Sequence, residues 1–108
     1  MNDPFSHIDP LVHAPARLFI LSLLAHAEQA DFLYLLHATG LTKGNLSAHL
    51  AKLEKAAYIE VEKTYRGKYP LTLYRLTPIG WDALHAYHQA MQSILHGLEP
   101  ALARRKTA

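Results

Sequence analysis

The polar side chains best suited to binding chemistry are concentrated in residues 42–52, the stretch TKGNLSAHLAK. Its glycine, asparagine, serine and histidine rank low as helix formers, yet they interrupt leucines with helical spacing. An asparagine amide offers a donor and an acceptor to an adenine edge, and hydroxyl and imidazole groups reach bases or phosphates. Lysine suits phosphate oxygens. The stretch therefore predicts a surface that binds nucleic acid.

On a helix wheel, Leu46, Leu50 and Leu53 share one face, which we expect to be buried. The opposite face is small, polar or basic, so the helix can approach base edges in the major groove of B-DNA. A weakly capped surface helix would have a similar composition, and His49 lies near the leucine face. The predicted DNA-contacting residues of this recognition helix, about residues 43–56, and of its cap are Thr42, Lys43, Gly44, Asn45, Ser47, Ala48, His49 and Lys52.

Catalysis is not predicted. The sequence has no cysteine, no glycine-rich phosphate loop, no nucleophile elbow and no HExxH motif. Ser47 and His49 are two residues apart on one helix and point in different directions, so they cannot form a dyad directly. We expect no enzyme activity and no cofactor. The absence of cysteine makes the cytoplasm the simplest location.

Charge is distributed unevenly along the chain, although the formal net charge is only +2. Residues 1–42 hold one base and four acids, whereas residues 43–75 hold seven bases and three acids. A basic segment is expected of a surface that meets a polyanion, but a solvated charged face would look the same. The longest apolar run, residues 18–27, is about half the length of a membrane span, so we expect no membrane association.

Element order follows from capping signals and periodicity. Helices are predicted from Pro15 to Ala27, over residues 32–38 with Gly40 at the end, and over residues 43–56. Alternation in YIEVEKTY and LTLYRLT predicts a β-hairpin, and Thr77-Pro78 opens a helix that should end near Leu98, before Pro100. The order αααββα predicts one mainly α (α+β) domain, a winged helix-turn-helix. We assign residues 1–8 to an N-terminal arm and residues 100–108 to a flexible basic tail.

Several segments resemble, in order and spacing, the winged-helix transcriptional regulators related to the MarR and ArsR groups: PARLFILSLL, LTKGNLSAHLAKLEKA, YI and YRLTPIG. The resemblance implies double-stranded DNA as partner, with the third helix in the major groove. It implies wing contacts, within about residues 65–70, from Arg66, Gly67 and Lys68. Such proteins usually carry glycine where Ala57 stands, so we expect this helix end to be closed without a left-handed residue.

The last helix, residues 78–98, has an apolar seam with nearly coiled-coil spacing. It predicts a homodimer, although the first half could instead pack back on Leu18–Leu24 of the same chain. The predicted seam residues are Leu84, Tyr87, Met91, Ile94, Leu95 and Leu98.

Histidines on the same helix raise the question of a metal. His85, His96 and Glu99 have the spacing of zinc sites in some ArsR-type sensors, but alanine occupies position 83, where such sites have an acid. No metal is the leading prediction, and a metal-responsive sensor is an alternative. A winged helix used only for protein contacts is another. A small-molecule effector between the first and last helices is left open.

Overall fold

The computed structural model describes residues 6–107, except the side chain of Thr107, so most of the predicted N-terminal arm lies outside the described residues. The predicted fold class is confirmed. Two short elements, the helix Pro10–His13 and the strand Ala30–Asp31, are added to the predicted order. The elements of the described residues are α1 (Pro10–His13), α2 (Pro15–Ala27), β1 (Ala30–Asp31), α3 (Phe32–Thr39), α4 (Lys43–Lys55), β2 (Ile59–Arg66), β3 (Tyr69–Leu76) and α5 (Pro78–Thr107).

Side-chain caps start the helices where the sequence indicates. The Asp9 carboxylate accepts a hydrogen bond from the Leu11 amide at 2.9 Å, and the Thr42 hydroxyl accepts one from the Asn45 amide at 3.2 Å. Gly40 takes a left-handed φ of 69° at the end of α3, as glycine does at this position. Residues 40–42 alone connect α3 to α4, which produces the helix-turn-helix.

The core lies between the helices and the inner face of the sheet. Leu46 and Leu53 of α4 are completely buried, and Leu50 is 3% exposed, so the predicted leucine face is confirmed. Each such side chain contributes roughly 1.5–3 kcal/mol by leaving water, and together they fix the rotation of α4. The other fully buried side chains are Val12, Ile20, Leu21, Leu24, Leu35 and Ile59.

The predicted hairpin is part of a three-stranded antiparallel sheet with the order β1-β3-β2. β2 and β3 pair from Ile59 opposite Leu76 to Arg66 opposite Tyr69. A two-residue turn closes the hairpin, and its first residue, Gly67, has a φ of 61°, as in a type II′ turn. β1 pairs with β3, which ties the linker between α2 and α3 to the wing.

The end of α4 differs from the expectation. Ala57 itself takes the left-handed conformation, with a φ of 63°. Its amide donates to the Glu54 carbonyl at 2.9 Å, and the Tyr58 amide donates to the Leu53 carbonyl at 3.0 Å. These two hydrogen bonds form a Schellman motif. The helix end is therefore closed as a glycine would close it, at the steric cost of a Cβ atom.

The last helix also differs from the prediction. α5 continues to Thr107, with Pro100 inside it. The prediction that the helix ends near Leu98 and leaves a flexible tail over residues 100–108 is wrong for residues 100–107. Pro100 lacks the amide hydrogen that would reach the His96 carbonyl, but residues 92–106 are exposed, so water can take its place. Strong helix formers flank the proline. None of the helices in residues 6–107 is long and apolar enough to cross a membrane.

Candidate nucleic-acid interface

The outward face of α4 is formed by small, polar and basic residues. The helix cannot rotate this face inward, because the leucines on its opposite side are buried in the core. The Thr42 cap holds its first turn, where the free backbone amides favour an anion. The exposed residues of the predicted set are Thr42, Lys43, Gly44, Asn45, Ser47, Ala48 and Lys52.

His49 lies at the edge of this face and is only partly buried. Its Nδ1 atom lies 3.2 Å from a terminal nitrogen, Nη1, of Arg17 in α2. Burial, and after it the positive charges of Arg17 and Lys52, lowers the pKa of His49. Burial and the neighbouring cations therefore favour the neutral form of the imidazole.

Sequence reasoning does not identify Arg17 as part of this surface. Its Nε atom donates to the Leu11 carbonyl of α1 at 2.7 Å, while Nη1 faces His49. The sequence does single Arg17 out, because it is the only lysine or arginine among residues 1–42. Its partner could not be identified from the sequence, because the two residues are 32 positions apart.

The wing presents Arg66, Gly67 and Lys68 at an exposed tip. The Arg66 side chain is 75% exposed, and its Nη2 atom lies 3.9 Å from Oδ2 of Asp31. Tyr65 and Tyr69 on either side are 70% and 77% exposed. The tip therefore combines cationic and aromatic side chains that the fold itself does not bury.

Arg75 belongs to the sheet and not to the basic tip. Its guanidinium contacts Glu62 at 2.6 Å, Glu60 at 3.4 Å and Gln29 at 3.1 Å. The Glu62 hydrogen bond is the main cause that raises the pKa of Arg75. Its charge is therefore locally balanced by the carboxylates of Glu60 and Glu62.

The predicted dimer seam divides into two parts. Tyr87 is 7% exposed, and its hydroxyl lies 2.9 Å from Nδ1 of His13, so it packs into the core of its own chain and leaves little surface for a seam. Leu84 and Met91 are partly buried against that core. Ile94, Leu95 and Leu98 are 47%, 56% and 45% exposed, and Leu102 one turn further is 62% exposed.

A groove of about 700 Å³ lies between α2 and the middle of α5. Leu18, Trp81 and Met91 contribute to its apolar wall, and His85 and His96 also line it. Nδ1 of His96 lies 3.5 Å from a Glu99 carboxylate oxygen. Among the described residues, no three metal-binding side chains come together, so His85, His96 and Glu99 do not form a metal site within one chain.

A helix-turn-helix whose second helix exposes a small and basic face, followed by a hairpin with a cationic tip, defines a winged helix-turn-helix protein. The comparison with protein families agrees. A model described as a winged helix DNA-binding domain matches residues 16–95. The chain belongs to this family.

Similar proteins are found among archaea and bacteria. The chain is 34% identical over 77 residues to the uncharacterized protein MJ0432 of Methanocaldococcus jannaschii, covering 71% of this chain and 84% of that protein. The structure of a transcriptional regulator homologue from Pyrococcus horikoshii OT3 matches with a TM-score of 0.77 and 25% identity, covering 82% of this chain and 87% of the other.

A likeness in fold extends to the MarR family. A putative transcriptional regulator of that family from Enterococcus faecalis V583 matches with a TM-score of 0.66 and 22% identity, over 97% of this chain and 87% of the other. The predicted resemblance to winged-helix DNA-binding proteins is confirmed by the family model, and the likeness to the MarR structure is one of fold. The family model is described as a DNA-binding domain, and the two solved structures are described as a transcriptional regulator homologue and a putative transcriptional regulator.

Proposed function

We propose that the protein is a homodimeric transcriptional regulator that binds double-stranded DNA at specific sequences. Helix α4 would lie in the major groove, and the wing, residues 65–70, would contact the neighbouring backbone or minor groove. The observation that carries this proposal is the division of α4 into a face of buried leucines and an exposed face without any large apolar side chain. A helix with only a structural role could carry large side chains on its exposed face.

Each side chain of the exposed α4 face has a role in this proposal. Gly44 and Ala48 allow the helix to come close to the base edges. Asn45 would pair with an adenine, and Ser47 would take a base or a phosphate. Lys43 and Lys52 would bind phosphate oxygens, which fix register and orientation but carry no sequence information.

The wing contact would come from Arg66 and Lys68. Arg66 faces Asp31 at 3.9 Å in the free protein, and an exposed ion pair of this kind is worth at most about 1 kcal/mol. A phosphate group could therefore replace the Asp31 carboxylate at little cost. The turn at Gly67 allows the backbone itself to approach the DNA.

The second half of α5 would form the dimer. The helix has 30 residues, so it is about 45 Å long, and the exposed Leu95, Leu98 and Leu102 continue the three-and-four spacing of a coiled coil. A second copy pairing along this stripe would cover it. Two recognition helices would then face successive major grooves, about 34 Å apart, on a near-palindromic site.

Binding to promoter fragments at several salt concentrations tests the DNA proposal. Neutralising phosphates releases counterions, so affinity should fall steeply with salt. Lys52→Glu should weaken binding at least about tenfold, whereas the matched charge change Lys106→Glu, at the far end of α5, should have a much smaller effect. Equal effects of the two variants, or no salt-dependent binding by the native chain, would contradict the proposal.

Light scattering after size exclusion tests the dimer. Leu98 and Leu102 are exposed in the single chain, so the double variant Leu98→Asp, Leu102→Asp should fold but run as a monomer. The variant should also bind a palindromic site more weakly, because only a dimer links two recognition helices that bind both half-sites together. A native chain that stays monomeric at micromolar concentrations would contradict this part of the proposal.

A small-molecule effector is a second candidate, and the groove between α2 and α5 favours it. Its volume of about 700 Å³ lies within the usual range for ligand sites, roughly 300–1,000 Å³. Trp81, the single tryptophan, lines this groove. Titration of small aromatic and aliphatic acids against its fluorescence, with DNA binding measured in parallel, tests whether a bound acid changes the affinity for DNA.

A cytoplasmic location also remains a prediction, resting on the absence of cysteine.

A further inference from the structure

The contact between Arg17 and His49 fixes the chemical form of the imidazole. A guanidinium group can only donate hydrogen bonds. Because an Arg17 nitrogen lies 3.2 Å from Nδ1 of His49, Nδ1 must be the acceptor of that bond. The hydrogen of the neutral ring is then on Nε2, so the free side of the imidazole is a donor.

The Nε2 atom of His49 is available to a ligand. The hydrogen bonds of the described residues include none to this atom. Among those residues no partly or fully buried side chain has a solvent-inaccessible nitrogen or oxygen without a partner, so Nε2 reaches the solvent. His49 follows Asn45 by one helical turn on the same flank of α4. The donor therefore lies beside a side chain already proposed to read a base.

Arg17 is itself held in place. Its Nε atom donates to the Leu11 carbonyl at 2.7 Å, one of the carbonyl groups that the short helix α1 leaves without an amide partner. The guanidinium thus joins the backbone of α1 to the recognition helix. This bridge orients the imidazole ring and selects its tautomer in the absence of DNA, as a second residue behind a ligand-binding histidine does in other sites.

We propose that His49 donates from Nε2 to an acceptor on a base edge in the major groove, and that Arg17 is the positioning residue that makes this donor. The inference rests on the DNA binding proposed above. Guanine fits best, because its edge offers N7 and O6 as adjacent acceptors, whereas the cytosine amino group is a donor and is rejected. A phosphate oxygen is the other acceptor within the same chemistry.

Selection of bound sequences from a random DNA library tests the inference with four proteins. His49→Gln keeps an amide nitrogen near the place of Nε2, whereas His49→Asn keeps a polar group only near Nδ1. The native chain and His49→Gln should select the same base pair, and His49→Asn and Arg17→Met should lose the preference at that one position. For these two variants, affinity for the native site should fall by about fivefold to tenfold, with little change on unrelated DNA.

Modified DNA distinguishes an acceptor on the base edge from an acceptor on the phosphate. Replacing the selected guanine by 7-deazaguanine should weaken the native chain by a similar factor and leave His49→Asn unchanged. If a single methylphosphonate linkage weakens the native chain but not His49→Asn, and the deaza base has no effect, the His49 contact is with phosphate and the inference is overturned.

Failure of the proposed DNA binding and failure of the inference on His49 give different results. If the native chain selects no sequence, the proposed function itself is wrong. If it selects a site and His49→Asn selects the same site with the same preference, only the inference on His49 is wrong. Thermal unfolding of Arg17→Met controls for the lost bond to Leu11. Should that variant unfold, the comparison of His49→Gln with His49→Asn still tests whether the base preference depends on a donor near the place of Nε2.

Discussion

Gly80 in the first turn of α5 lies directly against the backbone carbonyl of Tyr58. A Cβ atom added at Gly80 would be 1.9 Å from that oxygen and 2.8 Å from the carbonyl carbon. The same carbonyl accepts a hydrogen bond from the Thr77 amide at 3.1 Å. The start of α5 is therefore packed onto the connection between α4 and β2 through backbone atoms, which cannot move aside as a flexible side chain would.

Gly80→Ala should destabilise the protein by about 3 kcal/mol, because the added methyl group forces two backbone segments apart. Gly97→Ala is the matched control: it is in the same helix, and nothing lies within 4 Å of its added Cβ. That variant should gain about 0.5–1 kcal/mol from helix propensity. Urea unfolding at one fixed protein concentration measures both, and equal stability of the two variants would contradict the packing argument.

Ala57→Gly should stabilise the protein by about 1 kcal/mol. The left-handed φ of 63° at this position costs an alanine roughly 1–2 kcal/mol that glycine does not incur, and the higher chain entropy of unfolded glycine removes part of that gain. Ala56→Gly is the control, because Ala56 has a right-handed conformation and should lose stability on the same change. Thermal unfolding of the two variants in parallel should give shifts of opposite sign.

The local parts of the fold and of the candidate site could be predicted, and the parts set by distant contacts could not. The leucine face of α4 and the Thr42 cap depend on neighbouring residues, so periodicity and capping rules found them. β1 has only two residues and forms because β3 offers a free edge. The left-handed Ala57 and the contact of Arg17 with His49 depend on tertiary packing, which no local pattern carries.

Tyr58 should make stability depend on pH in the alkaline range. Its hydroxyl donates to the Asp9 carboxylate, and this bond, followed by burial and by the charge of Asp9, raises the pKa of Tyr58 to about 12. The unfolded value is about 10, so the neutral form is favoured in the fold. Its contribution is complete below about pH 10 and is lost as pH rises towards 12.

The comparison of the native chain with Tyr58→Phe isolates this effect from the other groups that titrate in the same range. At pH 8 the variant should be less stable by roughly 1 kcal/mol, the value of one hydrogen bond. The difference in unfolding free energy should shrink between pH 10 and 12, as the native tyrosine loses its proton. A difference that stays constant over this range would show that the bond to Asp9 does not hold the proton on Tyr58.

Gly44→Leu separates folding from DNA binding at the face on which the proposed function depends. Nothing lies within 4 Å of a Cβ atom at Gly44, and leucine is a better helix former than glycine, so the unfolding free energy should stay equal or rise by a few tenths of a kcal/mol. Affinity for a selected DNA site should fall by at least about tenfold, because the leucine side chain would hold the helix away from the base edges. Ala38→Leu, at an exposed position of α3 outside the proposed interface, adds comparable bulk and should leave binding unchanged. Circular dichroism melts and titration of labelled DNA by fluorescence anisotropy measure the two quantities separately, and tight binding by Gly44→Leu would place the DNA on a different surface.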